Sequence, residues 1–406
     1  MSGTKTFWLI NQYASTPETG MAGRHYYLAK ELARQGHTVY IIAAGFTHLL
    51  RQPPVLNKEF MIQQISENFS FVWVNMPAYE NAHDKRRIFN WFRFAWKISK
   101  LPKVIPNTPN TILYSSPSLI PFLGAWRLAK KIRAKLAFEV RDIWPLTLIE
   151  VGGYSPKHPF IRLMQSIEDK AYRKSDLVLS NLPYAVEHMV SRGMNRDKFT
   201  WIPNGLDFNE YNCREPLSDH VYTILPMDTF IVGYTGTMGM ANSLDTLIKA
   251  AELLKDETGI TFVLVGDGRE KSNLLEQAKG LRNVYFIDSI PKKQIHSMLS
   301  RFNVCYIGWR KEPIYRFGIA ANKLAEYMSS GKPIVHAYSG QGDLVAMSNS
   351  GISVEAENPQ GVADAILRLK NMLPQELDKL GENGRLYALE NHDYSRLAEK
   401  YARVLS

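Results

Sequence analysis

Short apolar runs and longer amphipathic stretches alternate along nearly the whole chain. In the first half, apolar runs at residues 7–10, 37–44, 69–76, 111–114, 135–140 and 177–180 predict strands. Helical spacing at 23–35, 85–100, 118–132, 159–174 and 184–192 fills the intervals. The second half repeats the scheme, with strands expected at 230–234, 260–265, 284–287, 304–307 and 333–337 and helices at 244–254, 271–279, 292–300, 320–329 and 362–372. Strands separated by helices of this length pair in parallel, with helices on both faces of the sheet. Pro203, Asn204 and Gly205 interrupt the pattern and mark a join. The expected fold is α/β: two doubly wound Rossmann-like domains, residues 1–203 and 204–390, facing across a cleft lined by the loops at the strand C-termini. A last helix at about 391–406 is expected to pack back on the first domain.

Composition narrows the class. At 406 residues, 45% hydrophobic and 22% charged, the chain has the make-up of a soluble protein with room for two cores. Two cysteines, Cys213 and Cys305, support neither a disulfide framework nor a metal-ligand spacing, which fits a reducing compartment. The run 7–10 is too short for a signal peptide, and the charge-free stretch 104–126 contains four prolines, so it is not a spanning helix. Charge is uneven: residues 1–205 hold 27 Lys+Arg against 14 Asp+Glu, whereas 206–406 hold 22 against 25. A polyanionic or membrane-surface partner is therefore expected for the first half.

The richest candidate chemistry lies in Gly318-Ile319-Ala320-Ala321-Asn322-Lys323-Leu324-Ala325-Glu326, which reads as a tight turn entering a helix after an apolar strand. A helix opening beyond a parallel strand points free amides and a positive dipole end at an anion. Asn322 and Glu326, at i and i+4, share a face that Lys323 flanks. Amides and Lys323 suit phosphates, and Glu326 suits two sugar hydroxyls. An i, i+3 ion pair of Lys323 with Glu326 on a solvated helix is the alternative.

Other candidates sit at further strand ends. Gly20 belongs to a small-residue loop before a helix; Gly236 and Thr237 end the first strand of the second domain, and Asp267 ends its second, where it equally fits a helix N-cap. Glu139, Arg141 and Asp142 end an apolar strand in the first domain, as catalytic candidates or as a surface ion pair. No Asp-x-Asp pair occurs, so no divalent metal or other cofactor is expected. A diphosphate would be met by amides and Lys323, with Arg269, Arg310, Lys311 and Arg316 in reserve. Along 85–100, Arg86, Arg87, Trp91, Phe92, Arg93, Trp96 and Lys97 mix aromatic and cationic residues. That mixture suits a helix in an anionic lipid headgroup layer, where each basic residue adds about 1 kcal/mol. Core packing and nucleic-acid binding compete with this reading, but no nucleic-acid signature is present.

Taken together the segments 20–23, 36–39, 202–207, 232–236, 264–268 and 326–335 resemble family 4 glycosyltransferases of the GT-B architecture, in the family's order and over nearly the whole chain. Glu-Val-Arg-Asp-Ile-Trp-Pro at 139–145 and Asn-Lys-Leu-Ala-Glu-Tyr-Met at 322–328 are similar to bacterial O-antigen and capsule enzymes, including fucosamine transferases. The resemblance implies a retaining transferase moving a sugar, such as N-acetyl-L-fucosamine, from a UDP-linked donor to a polyprenyl-diphosphate-linked saccharide. It implies a cytoplasmic enzyme held peripherally at the inner face of the plasma membrane. It assigns Glu326 to the ribose hydroxyls, the amides of Ile319 to Ala321 and of Gly20 to the diphosphate, and backbone around Ser289 and Ile290 to the base. Three departures stand out: Gly318 replaces the family's first glutamate, Thr237, Met238 and Ser243 replace its usual Arg and Lys, and Arg141-Asp142 replaces His-Asp. A nucleotide-sugar epimerase on the same architecture, and a binding module without turnover, remain the other readings.

Overall fold

The computed structural model describes residues 3–81, 84–226 and 228–406. The chain forms two compact units, one running to Asn204 and taking in Tyr394–Ser406, the other comprising Gly205–Asp393.

The first unit carries strands β1 (Thr6–Ile10), β2 (Thr38–Ala44), β3 (Phe60–Ser66), β4 (Phe69–Val74), β5 (Thr111–Ser115), β6 (Lys135–Val140), β7 (Leu177–Ser180) and β8 (Phe199–Trp201). Its helices are α1 (Arg24–Arg34), α2 (Arg86–Lys97), α3 (Phe122–Ile132), α4 (Leu146–Glu150), α5 (Pro159–Lys174) and α6 (Val186–Ser191). The sheet order is β3-β4-β2-β1-β5-β6-β7-β8, parallel except for the antiparallel edge pair β3–β4. β3 lies outside the expected strands because two adjacent glutamines, Gln63 and Gln64, interrupt its short apolar run. Gln63 nevertheless accepts from the buried Trp73 indole at 2.7 Å, so the polar residue pairs the edge strand to its neighbour.

The second unit has β9 (Phe230–Thr235), β10 (Ile260–Val265), β11 (Val284–Ile287), β12 (Val304–Gly308), β13 (Ile334–Ala337) and β14 (Gly351–Val354). Its helices are α7 (Phe208–Asn212), α8 (Asp219–Ile224), α9 (Leu244–Leu253), α10 (Lys271–Gln277), α11 (Ile295–Ser300), α12 (Asn322–Ser329), α13 (Leu344–Ser348), α14 (Pro359–Lys370) and α15 (Pro374–Asn391). Sheet order β11-β10-β9-β12-β13-β14 reverses between β9 and β12. The two faces bury different halves of the same strands: Val232, Tyr234, Phe262 and Leu264 pack on one side, Ile231, Val263, Val265 and Cys305 on the other. A parallel strand covered on both faces reads as one apolar run, which is why these strands are plain in the sequence.

α15 is masked in the sequence by Gly381 and Gly384, residues that weaken helices. The structure supplies the reason for Gly381: a β-carbon there would lie 1.9 Å from the Gly331 carbonyl at the end of α12. The missing side chain lets α15 lie against α12 and hold it.

The final helix, α16 (Tyr394–Leu405), packs on α1 in the first unit, with Tyr27 and Tyr394 stacked at 5.2 Å.

Candidate functional site

The C-terminal edge of the second sheet gathers most of the expected residues, and the order reversal between β9 and β12 is where such sheets leave a crevice. α12 is fixed there by Tyr327, a fully buried side chain whose hydroxyl accepts the Thr235 amide at 2.8 Å and donates to the Thr235 carbonyl at 3.1 Å. Gly318, at φ +89°, turns the chain out of the short helical segment Pro313–Phe317 in a conformation that side chains other than glycine rarely adopt. Ala321 then caps α12 with no side-chain hydrogen bond, and its first turn contains no acid. Ile319 is buried, Ala320 and Ala321 are half-buried, and Asn322 is exposed.

Lys323 runs back over the end of β9. Its ammonium lies 2.6 Å from the Tyr234 hydroxyl, 4.0 Å from the centre of that ring and 3.4 Å from the side-chain Oδ1 of Asn242. Gly236 makes room for it: a β-carbon there would sit 2.8 Å from the lysine Cε. The lysine therefore serves the glycine turn rather than the i, i+3 ion pair that the spacing also allowed. Burial pushes its ammonium down to about 7, so a neighbouring anion would recharge it.

Glu326 lies one turn further into the helix, half-buried, and its carboxylate has no hydrogen-bond or ion-pair partner among the described residues. Burial raises its pKa, opposed by the charges of Lys292 and Lys323. Lys292 lies in the loop after β11, which also carries exposed Ser289 and half-buried Ile290. Thr237 and Asp267 are exposed at the ends of β9 and β10. Asp267 is not the cap of α10, which starts after Glu270; its carboxylate accepts from the Gly268 amide at 2.7 Å. Two of the reserve cations are engaged elsewhere, Arg310 with Asp245 at 2.7 Å and Lys311 with Glu355 at 2.7 Å. Tyr234 and Asn242, the seat of Lys323, were not among the expected site residues. Nothing in a strand's apolar alternation announces that a tyrosine hydroxyl will reach past the strand end.

Three first-unit expectations need correction. Glu139 is fully buried and cannot act on a substrate: it binds Arg24 at 2.9 Å, His25 at 2.7 Å, Ser115 at 2.7 Å and the Tyr401 hydroxyl. Burial alone would raise its pKa, but Arg24 and His25 hold the carboxyl well below the usual range. Asp142 forms no pair with Arg141; it accepts from the Trp144 indole at 2.9 Å and the Thr147 hydroxyl at 2.6 Å. The Gly20 amide already donates to the Thr16 carbonyl at 3.0 Å, so it is not free for a diphosphate. Arg141 is half-buried, its amide donating to the Ser116 hydroxyl at 2.9 Å.

α2 also departs from expectation. Trp91 is buried with Phe94 and Ile98, and its indole donates to the Tyr13 hydroxyl at 3.0 Å. It therefore cannot contact a membrane. Arg87 is half-buried over the Trp91 ring, Lys97 donates to the Asn75 carbonyl at 2.6 Å, and Arg86 pairs with Glu80 and Asp84. The outer face instead carries Phe89, Phe92 and Trp96, 65%, 51% and 60% exposed at i, i+3 and i+7, together with exposed Arg93. Aromatic residues on every side of a helix leave its period unable to choose which stripe goes inward.

Among the described residues no group of three His, Cys, Asp or Glu side chains could hold a metal ion, and no helix is long and apolar enough to cross a membrane.

Comparison with known proteins supports the same organisation. Residues 19–210 match Glycosyltransferase Family 4, and residues 229–371 match Glycosyl transferases group 1. The chain is 24% identical over 283 residues to the putative colanic acid biosynthesis glycosyl transferase WcaI of Escherichia coli (strain K12), a match covering 63% of this chain and 64% of that protein. Less than two thirds of that relative's length is therefore spanned. Sucrose-phosphate synthase from Thermosynechococcus elongatus superposes with a TM-score of 0.72 at 17% identity, over 98% of each chain. HepE of Anabaena, in complex with UDP and glucose, gives 0.63 at 16% identity over 99% of each chain. The fold is GT-B.

Proposed function

From a chain that joins a glycosyltransferase family 4 domain to a group 1 domain on the GT-B fold, we propose a retaining glycosyltransferase that uses a UDP-linked sugar as donor and a polyprenyl-diphosphate-linked saccharide as acceptor. One observation carries the donor half: a half-buried carboxylate without a hydrogen-bond or ion-pair partner among the described residues, Glu326, stands one turn inside a helix whose uncapped start and lysine lie at a sheet reversal. In this reading Glu326 accepts from the two ribose hydroxyls. The amides of Ile319, Ala320 and Ala321 and the ammonium of Lys323 bind the diphosphate, and Lys323 leaves Tyr234 to do so. Ser289 and Ile290 border the base, with Gly236, Thr237 and Asp267 completing the rim.

Positive charge and amide donors stabilise the charge that grows on the departing diphosphate. No divalent metal is invoked, since amides and Lys323 meet that charge. Retention then needs no pair of catalytic carboxylates, which agrees with the committed positions of Glu139 and Asp142. HepE bound to UDP and glucose supports the choice of nucleotide, and WcaI supports a surface-polysaccharide acceptor. Gly318 in place of a glutamate leaves the donor sugar less constrained there; an N-acetylated 6-deoxyhexosamine is the candidate by resemblance. The exposed stripe of Phe89, Phe92 and Trp96 with Arg93 would bring the first unit to an anionic lipid surface on the cytoplasmic side.

Radiolabelled UDP-sugar incubated with membranes and extracted into organic solvent tests the reading. Label in the lipid phase supports transfer. Label in a new soluble sugar nucleotide would mean epimerisation, and binding without either product would mean a non-catalytic module.

A further inference from the structure

Arg141 and Asn181 are the first residues beyond the paired ends of β6 and β7, where Val140 is in register with Ser180. Each carries an unmet buried atom: Nε of Arg141, and Oδ1 of Asn181, a residue only 4% exposed. Buried polar atoms are nearly always satisfied, so two side by side at a strand-end edge call for a ligand or solvent. The guanidinium of Arg141 has no ion-pair or hydrogen-bond partner among the described residues. Its planar fork fits the oxygens of a phosphate or carboxylate.

Three residues on, Trp144 is half-buried and held at its polar edge by Asp142, which Thr147 holds in turn. Its ring meets Trp91 edge-on at 6.1 Å, and Trp91 stacks on Phe160 at 6.3 Å. An indole whose N–H is already bonded offers its apolar face, the kind of surface on which a ligand ring packs. An unpaired cation and a held aromatic face thus stand on one loop, in the half of the chain that carries the basic surplus.

We propose that Arg141 and Trp144 form a subsite for a glycosyl diphosphate, the guanidinium on the phosphate oxygens and the indole on the sugar ring. Asp142 is then a positioning residue that orients Trp144. The identity of the ligand rests on the transfer reading above; the cation and the aromatic face do not.

Calorimetric binding tests this with farnesyl-diphosphate-linked N-acetylglucosamine as probe, in the presence of saturating UDP. Farnesyl diphosphate and free N-acetylglucosamine serve as separate arms, distinguishing a lipid phosphate from the sugar-bearing group. The complete probe should bind more tightly than either part. Arg141→Gln should weaken it about tenfold or more and Arg141→Lys less. Trp144→Ala should weaken it about tenfold, with Trp144→Phe largely restoring it. Asp142→Asn should cost less than Trp144→Ala. No binding to the wild type, or wild-type affinity in Arg141→Gln or in Trp144→Ala, would overturn the subsite. The series is repeated without UDP, so that failure of the wild type to bind UDP would count against the donor reading alone.

Discussion

Two glutamates near strand or helix ends, Glu139 in the first unit and Glu326 in the second, look alike in sequence and differ in what surrounds them. Glu139 is enclosed and bonded to Arg24, His25, Ser115 and Tyr401. Through Arg24, which also donates to the Ile202 carbonyl at 2.8 Å, it ties α1 and α16 to the end of the first sheet. Glu326 is half-buried with no hydrogen-bond or ion-pair partner among the described residues and is carried on a helix that Tyr327 and Gly381 hold in place. Burial alone therefore does not mark a functional carboxylate. An unmet carboxylate on a well-held element does.

The largest effect should come from disturbing the satisfied member. Glu139→Gln leaves Arg24 buried without its counter-charge and should cost about 3–5 kcal/mol of stability by urea unfolding. Because the folded carboxyl titrates well below its unfolded value, its contribution is complete above the unfolded pKa of about 4.3 and is lost as pH falls below that. The wild type should thus lose stability more steeply on acidification than the variant. A parallel pH response in both proteins would show that the network contributes little.

Next comes Lys323. With its ammonium at about 7 in the free protein, UDP-sugar affinity should fall as pH rises above 7 and level off below, with proton uptake on binding near pH 8. Lys323→Gln should bind roughly 10- to 100-fold more weakly and with a flat profile, measured by calorimetry in buffers of different ionisation enthalpy. On α2, Phe92→Ser with Trp96→Ser should lower partitioning onto phosphatidylglycerol vesicles by about tenfold without changing the melting temperature. Unaltered partitioning would leave the exposed stripe without that role. The smallest effect is expected at Gly236→Ala, where the lysine tip can shift from its 2.8 Å approach; a loss of roughly threefold in affinity is expected if the strained turn holds.

How much of this was legible in the sequence follows the same division. Strands buried on both faces, such as β9, β10 and β12, show as apolar runs, and the Gly318-to-Glu326 turn and helix are plain from residue types. Three things were hidden. β3 and α15 carry glutamines or glycines for long-range reasons, pairing with Trp73 and approach to Gly331. On α2, Trp91 was grouped with Phe92 and Trp96 because the three are similar in type, yet only Trp91 is buried. Glu139 and Asp142 passed as chemical groups because their partners, Arg24, Tyr401 and Thr147, come from elsewhere in the chain or serve a local turn. A residue's type announces what it could do, whereas its partners decide whether it is free to do it.

The central claim is that the unmet carboxylate of Glu326 exists to hold a nucleotide's ribose. Titration calorimetry of UDP-glucose into the wild type and Glu326→Ala, with melting temperatures recorded alongside, tests it most directly. Loss of two hydroxyl bonds to a charged acceptor should weaken binding about 100-fold, while removal of an unpaired, partly desolvated charge leaves the melting temperature at or above that of the wild type. Equal affinity in the two proteins would contradict the claim.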